Sequence, residues 1–376
     1  MISGGIILYI ESLTLKGFRN YKETSIEFSK NYNIIFGKNA QGKTNIIEAI
    51  FLCASGRSHR TSKDSELLNI NSNSYYIKLN SVKEEQNLDI EIRNDINKKR
   101  LIKLNEIPLK KIGNLMGNLL AVIFSPEDLS IINEGPAQRR RFIDITLSQI
   151  KPAYFYDLQQ YNRVLKQKNS LLKEIQSNRS LIDTLDIWNQ KISELAARIM
   201  KTRNDFIIRL KKTAKINHNI LSESNEDMRI TYNSSLNLED FNDINSIEEK
   251  MIDELERIKN IEIRRGTSLK GPHRDDYKMY INDMDVKTFG SQGQKRTVIL
   301  SIKLSEVQLI REETGENPVL LLDDVMSELD CRRREILFDS IKNIQTFITC
   351  TEKDIFEKKE LENILFVNVK NGNTTY

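Results

Sequence analysis

Short apolar segments near the start of the chain read as strands, and the pattern changes twice further on. "LTLKGFRNY" and "IEFSKNYNIIFG" read as short strands. "NLDIEIRNDINKKRLIKLN" alternates around a turn at Asn94–Asn97, the pattern of an antiparallel hairpin. In the middle of the chain the period becomes helical. Within "LDIWNQKISELAARIMKTRNDFIIRL", Leu185, Trp188, Ile192, Leu195 and Ile199 recur at three- and four-residue steps. Towards the end, "PVLLLDD" and "QTFITC" are short apolar runs suited to buried parallel strands, whereas "TVILSIKLSEVQLI" is helix-periodic. The predicted fold class is α/β. One lobe is split into residues 1–135 and 262–376, with a mainly helical lobe inserted at 136–261.

Composition adds bounds. A chain of 376 residues with 39% hydrophobic content can bury two domain cores and is too apolar for wholesale disorder. No run of about eighteen apolar residues occurs, and the N-terminus lacks a basic leader and an A-x-A-like cleavage site, so a cytoplasmic protein with no membrane contact is expected. The three cysteines, Cys53, Cys331 and Cys350, and only three histidines argue against a disulfide scaffold or a Cys/His zinc site. The net charge of +4 is a cancellation. Residues 151–215 hold fourteen basic and six acidic side chains, whereas residues 222–262 hold four and twelve. Such stretches are either solvated helical faces or charged contacts.

The strongest chemical signal is "GKNAQGKT", running Gly37, Lys38, Asn39, Ala40, Gln41, Gly42, Lys43 and Thr44. It fits G-x-x-x-x-G-K-[ST] and lies between the strand "YNIIF" and the helix "NIIEAIFLCA", the context this motif requires. Gly37 and Gly42 permit backbone angles that turn amide N–H groups towards one point. Lys43 can reach the β- and γ-phosphates of ATP, the Thr44 hydroxyl can ligate Mg²⁺, and the helix N-terminus favours an anion. An acidic partner for the metal follows in "VLLLDD", where Asp323 and Asp324 end a buried strand. Asp323 is the candidate Mg²⁺ ligand, through water. Asp324 is the candidate for orienting or deprotonating the attacking water, and Lys43 the other catalytic candidate.

"GSQGQKR" opens the helix ahead of that strand, with Ser291, Gly293 and Gln294 as a second candidate anion site. Alone, this string reads better as a plain helix cap, and its position just upstream of the acidic strand is the informative part. One chain has little use for two such sites on one triphosphate, but a head-to-tail homodimer does, each copy capping nucleotide held by the other.

The order GxNxxGKT, SxGQ, hydrophobic-DD and SxLD resembles the ABC-type ATPase heads of the SMC and RecF group, and most closely the RecF family of bacterial recombination and repair proteins. "LTLKGFRNY", "AVIFSPEDLSIINEGPAQRRRFID", "LKGPHRDD" and "LLLDDVMSELD" carry the resemblance along most of the chain. Thr44 and Ser291 leave room for a compact lobe and not for a long SMC coiled coil. The resemblance implies an SMC head-like ATPase that binds ATP with Mg²⁺ and dimerises on ATP. It also implies binding of single- and double-stranded DNA and gap junctions, and action in replication, recombination mediation and the SOS response with RecO and RecR as partners. Departures from the wider pattern are Asp324 where transporter ATPases carry Glu, and no histidine after the last core strand, where Thr349 or Thr351 stands. Slow, DNA-stimulated hydrolysis is therefore expected. "FSPED" occupies the glutamine-loop region, and residues 1–7 extend past the family's usual start. A transporter ATPase subunit is the first rival reading and a small-molecule P-loop kinase the second.

Candidate DNA-phosphate contacts are Arg139, Arg140 and Arg141 in "QRRRF" and Arg57, His59 and Arg60 in "GRSHR". Each arginine is equally a helix anchor or a partner for the acidic stretch. With no helix-turn-helix and no aromatic–basic sheet pattern, backbone recognition is expected over base readout. His273 in "GPHRDD" has no nucleophile or metal constellation around it and reads as structural.

Overall fold

A computed structural model of the chain describes residues 8–61, 63–96, 98, 100–236, 238, 240–353, 356 and 363–376. The expectation about residues 1–7 lies outside them, as does Asn97 of the predicted turn. Backbone contacts divide the chain into one unit of residues 1–128 and 303–376 and a second of residues 129–302.

The first unit is α/β, with two six-stranded sheets. One is antiparallel, ordered Tyr21–Glu27, Leu8–Phe18, Ser74–Lys83, Gln86–Asp95, Leu101–Leu104 and Ile107–Pro108. Its strands alternate as predicted: Tyr75, Ile77 and Leu79 point into the core with Leu88, Ile90 and Ile92 of their neighbour. In Leu8–Phe18 the buried set changes phase, from Leu8 and Ile10 to Leu13 and Leu15, because a bulge intervenes between Ile10 and Ser12. The polar groups freed there are met by the buried amide of Gln345. Its Oε1 accepts from Ile10 N at 2.7 Å, and its Nε2 donates to Ile10 O at 2.7 Å.

The other sheet runs Asn373–Thr375, Ile364–Lys370, Tyr32–Phe36, Thr346–Cys350, Val319–Leu322 and Ala121–Phe124, parallel except at the short Asn373–Thr375 edge. Val319–Leu322 and Ala121–Phe124 are buried at every position, which explains their unbroken apolar runs. The helix Lys43–Ser55 packs on strands of both sheets and is buried from Ile46 to Ser55, so that stretch is apolar on every side except at Glu48.

The second unit is built on four long helices, Pro136–Ile150, Pro152–Ser177, Leu185–Leu221 and Ile244–Arg265, among its described residues. Leu185, Ile192, Leu195 and Ile199 all lie at 0% exposure on the predicted face. The oppositely charged stretches partly neutralise each other inside this unit. Lys168 from the basic stretch pairs with Glu262 from the acidic one at 2.8 Å, both buried. Lys259 and Asp186, paired at 2.8 Å on the surface, join the same two stretches with the charges reversed, a lysine of the acidic one to an aspartate of the basic one. The unit also holds a three-stranded sheet of Met228–Asn233, Asp276–Ile281 and Met284–Asp285. That sheet explains why the observed boundary differs from the expected 136–261: pairing with Met228–Asn233 holds Asp276–Ile281 in this unit. The boundary then falls inside the helix Gln292–Thr314.

Candidate functional site

The phosphate-loop segment leaves the Tyr32–Phe36 strand and enters the Lys43–Ser55 helix. Two of its glycines are sterically required. Gly37 has φ 147° and a Cβ there would sit 2.4 Å from Val369 O; Gly42 has φ 118° and a Cβ would sit 2.6 Å from Asn20 Nδ2. Between them Ala40 is also left-handed, with φ 63°. Lys43 is buried and its Nζ lies within the curve of the loop, donating to Gly37 O at 2.6 Å and Lys38 O at 3.1 Å. Lys38, Asn39 and Ala40 are exposed, and Gln41 is anchored by Asn371 N, which donates to its Oε1 at 2.7 Å.

The parallel sheet interposes Thr346–Cys350 between the loop strand and the acidic strand Val319–Leu322. At the ends of these strands Thr44, Asp323 and Thr349 meet. Thr44 Oγ1 donates to Asp323 Oδ1 at 3.0 Å, and Thr349 Oγ1 donates to the same oxygen at 2.7 Å. Asp324 N in turn donates to Thr349 Oγ1 at 2.9 Å, with Asp324 in the left-handed region at φ 52°, a conformation aspartate tolerates. Burial pushes the Asp323 carboxyl up, the two threonine hydroxyls hold it down, and the charges of Asp324 and Glu127 push it up again. A hydroxyl and a carboxylate oxygen in contact are hard donors. They fit Mg²⁺, which is usually held by one or two carboxylates together with phosphate and water oxygens.

In the second unit, Ser291 and Gln294 form a reciprocal cap on the helix Gln292–Thr314. Ser291 Oγ accepts from Gln294 N at 3.1 Å, and Gln294 Oε1 accepts from Ser291 N at 2.9 Å. Gln294 Nε2 also donates to Glu226 Oε1 at 2.9 Å, and Glu226 Oε2 lies 2.9 Å from Nε2 of buried His218. Gly293 differs from the loop glycines. A Cβ there would meet only Ser291 Oγ at 3.9 Å, so nothing within the described chain requires glycine.

The basic candidates divide. Arg139 is a correction to the sequence reading. It is 6% exposed, its Nε and Nη2 donate to the two carboxylate oxygens of Asp276 at 2.7 and 3.0 Å, and its Nη1 donates to Ile131 O and Glu134 O. This guanidinium joins "QRRRF" to "PHRDD" and has no free edge for a phosphate. Arg140 is half-buried and donates to Asp275 O at 2.7 Å. Arg141 and Arg57 are exposed. Arg60 is exposed, donates to Asn45 Oδ1 at 3.1 Å and lies 3.6 Å from Glu48 Oε2, at an open surface pocket of about 570 Å³ that Arg19, Lys22 and Asn69 also line.

His273 is held between Tyr161 Oη, 2.6 Å from Nδ1, and Ser268 O, 3.2 Å from Nε2. Burial lowers its pKa to about 4, so it is a neutral structural ring. The "FSPED" segment folds on itself, with Ser125 N donating to Asp128 Oδ2 at 2.8 Å.

Sequence reasoning overlooked Asn20, Tyr21, Arg19, Glu48 and Glu127. Arg19 donates through Nε and Nη2 to both oxygens of Glu48, which is fully buried in the loop helix. The available signal was a glutamate inside an otherwise apolar helix, because such a charge needs a partner.

The profile of the RecF/RecN/SMC N-terminal domain matches residues 9–375. A DNA replication and repair protein RecF from Acetivibrio thermocellus is 58% identical over 369 residues, covering 98% of this chain and all of that protein. A solved structure of the recombination mediator protein RecF with ATP, in the RecFOR pathway, superposes with a TM-score of 0.93 at 38% identity, covering 100% of this chain and 99% of that one. An Smc head domain from Pyrococcus furiosus shares the fold at a TM-score of 0.54 and 18% identity, covering 98% of this chain and 95% of that one.

Proposed function

The chain belongs to the RecF family, and on that premise we propose that it is an ATP-dependent DNA-binding protein of replication and recombinational repair, a clamp that closes as a homodimer on ATP. The observation that carries the nucleotide reading is the meeting of Thr44, Asp323 and Thr349 beside a loop whose two left-handed glycines leave no room for a side chain.

In this reading the backbone amides of residues 37–44 and the Lys43 ammonium bind the triphosphate. Thr44 and, through water, Asp323 would hold Mg²⁺, which would supply charge neutralisation to the triphosphate. Asp324 orients a water for in-line attack on the γ-phosphorus and takes its proton, while the bond to the β-phosphate oxygen breaks. The short Asp324 side chain and its backbone, fixed through Thr349, suit slow turnover.

The signature residues Ser291, Gly293 and Gln294 act across the dimer. Gly293 supports this part, because the first turn of a helix bears the cost of a glycine that no contact among the described residues requires. Mass action then makes DNA-bound dimer depend on ATP, with phosphate contacts from Arg57, Arg60, Arg140 and Arg141. The sites of action are single-strand gaps, with RecO and RecR as partners, in a cytoplasmic protein serving replication and the SOS response.

The transporter alternative has no support: the relatives described above act in DNA repair or share the SMC head fold, and no helix among the described residues is long and apolar enough to cross a membrane. Sedimentation and ATPase rate, each with and without gapped DNA, test the proposal. ATP-dependent dimers and a DNA-stimulated rate below about 10 per second are expected, that being the median for enzymes. Monomers at saturating ATP, or DNA-independent turnover, would overturn it.

A further inference from the structure

We propose that Asn20 is a positioning residue of the phosphate loop, one that aims the loop's amides from the turn of the first hairpin. Residues 19 and 20 form that turn, with Phe18 paired to Tyr21 and Arg19 at φ 52°. Asn20 Nδ2 donates to Gln41 O at 2.7 Å, and the next residue's hydroxyl, Tyr21 Oη, donates to Gly42 O at 3.0 Å. Two consecutive loop carbonyls are therefore drawn towards one hairpin, each sharing its oxygen with a backbone donor, Gly372 N on Gln41 O at 3.2 Å and Asn45 N on Gly42 O at 3.0 Å.

A trans peptide is planar and carries its N–H opposite its C=O, and none of the described peptide bonds is cis. Pinning the Gln41 carbonyl therefore turns Gly42 N–H away from the hairpin, and pinning the Gly42 carbonyl does the same for Lys43 N–H. These are donors of the kind that converge on phosphate in a glycine-rich loop. Asn20 is itself fixed. Asn45 Nδ2 donates to its Oδ1 at 2.8 Å, and Arg60 Nη1 donates to Asn45 Oδ1 at 3.1 Å. The amide also fills the space in front of Gly42, where a Cβ would fall 2.6–3.0 Å from its three heavy atoms. The glycine of the motif and the asparagine of the turn are thus complementary.

The inference rests on the reading that the loop holds a nucleoside triphosphate, so the test carries a control for that reading. Nucleotide affinity is measured by calorimetry with ATP and with ADP on the full chain, together with KM and kcat for hydrolysis and the melting temperature. Asn20→Ala is expected to weaken nucleotide binding and raise KM about tenfold, as for loss of one well-placed hydrogen bond, with kcat changed less than about threefold and the melting temperature nearly unchanged. Asn20→Asp keeps the acceptor for Asn45 but sets a carboxylate against the Gln41 carbonyl, and should bind no better than Asn20→Ala. A purely structural asparagine would lower the melting temperature and leave affinity within about twofold, which overturns the proposal. Should Asn20→Ala fail to fold, Asn20→Asp carries the test, and affinity within about twofold of the wild type there overturns the proposal equally. Lys43→Ala separates the two failures. If it also binds normally, the nucleotide reading of the loop falls; if it alone loses binding, only the role of Asn20 falls.

Discussion

Thr44 and Asp323 lie 279 residues apart, yet the threonine hydroxyl donates to the carboxylate at 3.0 Å. The contact exists because Thr349, on the strand between them, donates to the same oxygen and accepts from Asp324 N. Thr349 is fully buried, and its hydroxyl orients both acidic residues at once.

Thr349→Val keeps the shape and removes the hydroxyl, leaving the Asp324 amide without its acceptor and Asp323 with one donor fewer. A stability loss of about 1–3 kcal/mol is expected from the unpaired polar groups. Hydrolysis should fall by more than about tenfold while nucleotide affinity changes little, and Thr349→Ser should restore it. Urea melts and ATPase rates on the three proteins check this. A Val variant with undiminished hydrolysis would remove Thr349 from the site.

Gly293 separates a fold requirement from an interface requirement. Alanine there makes only an ordinary contact with Ser291 Oγ at 3.9 Å among the described residues and removes a helix-destabilising glycine, so Gly293→Ala should be neutral or stabilising by up to about 1 kcal/mol. If the signature caps nucleotide in a second copy, the same variant should lose ATP-induced dimerisation. Ser291→Arg, which costs about 1 kcal/mol of capping, should still bind ATP and remain monomeric. Dimers of Ser291→Arg in the ultracentrifuge at saturating ATP would end the assignment in trans.

The α/β class and the location of the phosphate loop were legible because local pattern decides them. Parallel strands buried on both faces must be continuously apolar, as Val319–Leu322 is, and the loop needs glycine at two positive-φ sites. The pairing of Met228–Asn233 with Asp276–Ile281 was not legible: both segments alternate, with Met228 and Ile230 facing inward on one and Tyr277, Met279 and Ile281 on the other, but six alternating residues do not say which distant segment they pair with. Asn20 was hidden for a different reason: its role is a hydrogen bond to a backbone carbonyl 21 residues on, and residue type alone does not encode that. Arg139 was misread because an exposed phosphate contact and a buried ion pair have the same letter in a sequence. Only its 6% exposure and the facing Asp276 distinguish them.

His273 gives the second unit an acid-sensitive contact. Its ring is neutral when folded, with a pKa near 4 against an ordinary value of 6.5. Above pH 6.5 both folded and unfolded chains carry a neutral ring, and the contribution is fully present. As the pH falls from 6.5 towards 4, the unfolded chain takes up a proton that the folded one refuses, and stability drains by about 3 kcal/mol. Urea midpoints of the wild type should therefore fall through that window more steeply than those of His273→Gln. Parallel curves would show that the ring is protonated in the fold.

The charge on DNA can be apportioned by salt. Removing one arginine–phosphate pair should reduce the slope of log affinity against log salt by about 0.9 on duplex. Arg57→Glu and Arg141→Glu alter exposed side chains and should flatten that slope without lowering the melting temperature by more than a few degrees, whereas Arg60→Glu should flatten it and also destabilise, because Arg60 Nη1 lies 3.6 Å from an oxygen of buried Glu48. Arg139 should behave in the opposite way. Removing it strands the Asp276 carboxylate and two backbone carbonyls, at a cost of about 3–5 kcal/mol for a broken buried pair. Arg139→Lys keeps the charge but not the two-pronged geometry, so it should still destabilise. Asp276→Asn should destabilise as well, with the DNA slope of the folded fraction unchanged. If Arg139→Ala instead melts like the wild type and binds DNA with a shallower slope, then the guanidinium leaves Asp276 for the phosphate backbone, and the pair is a switch instead of an anchor.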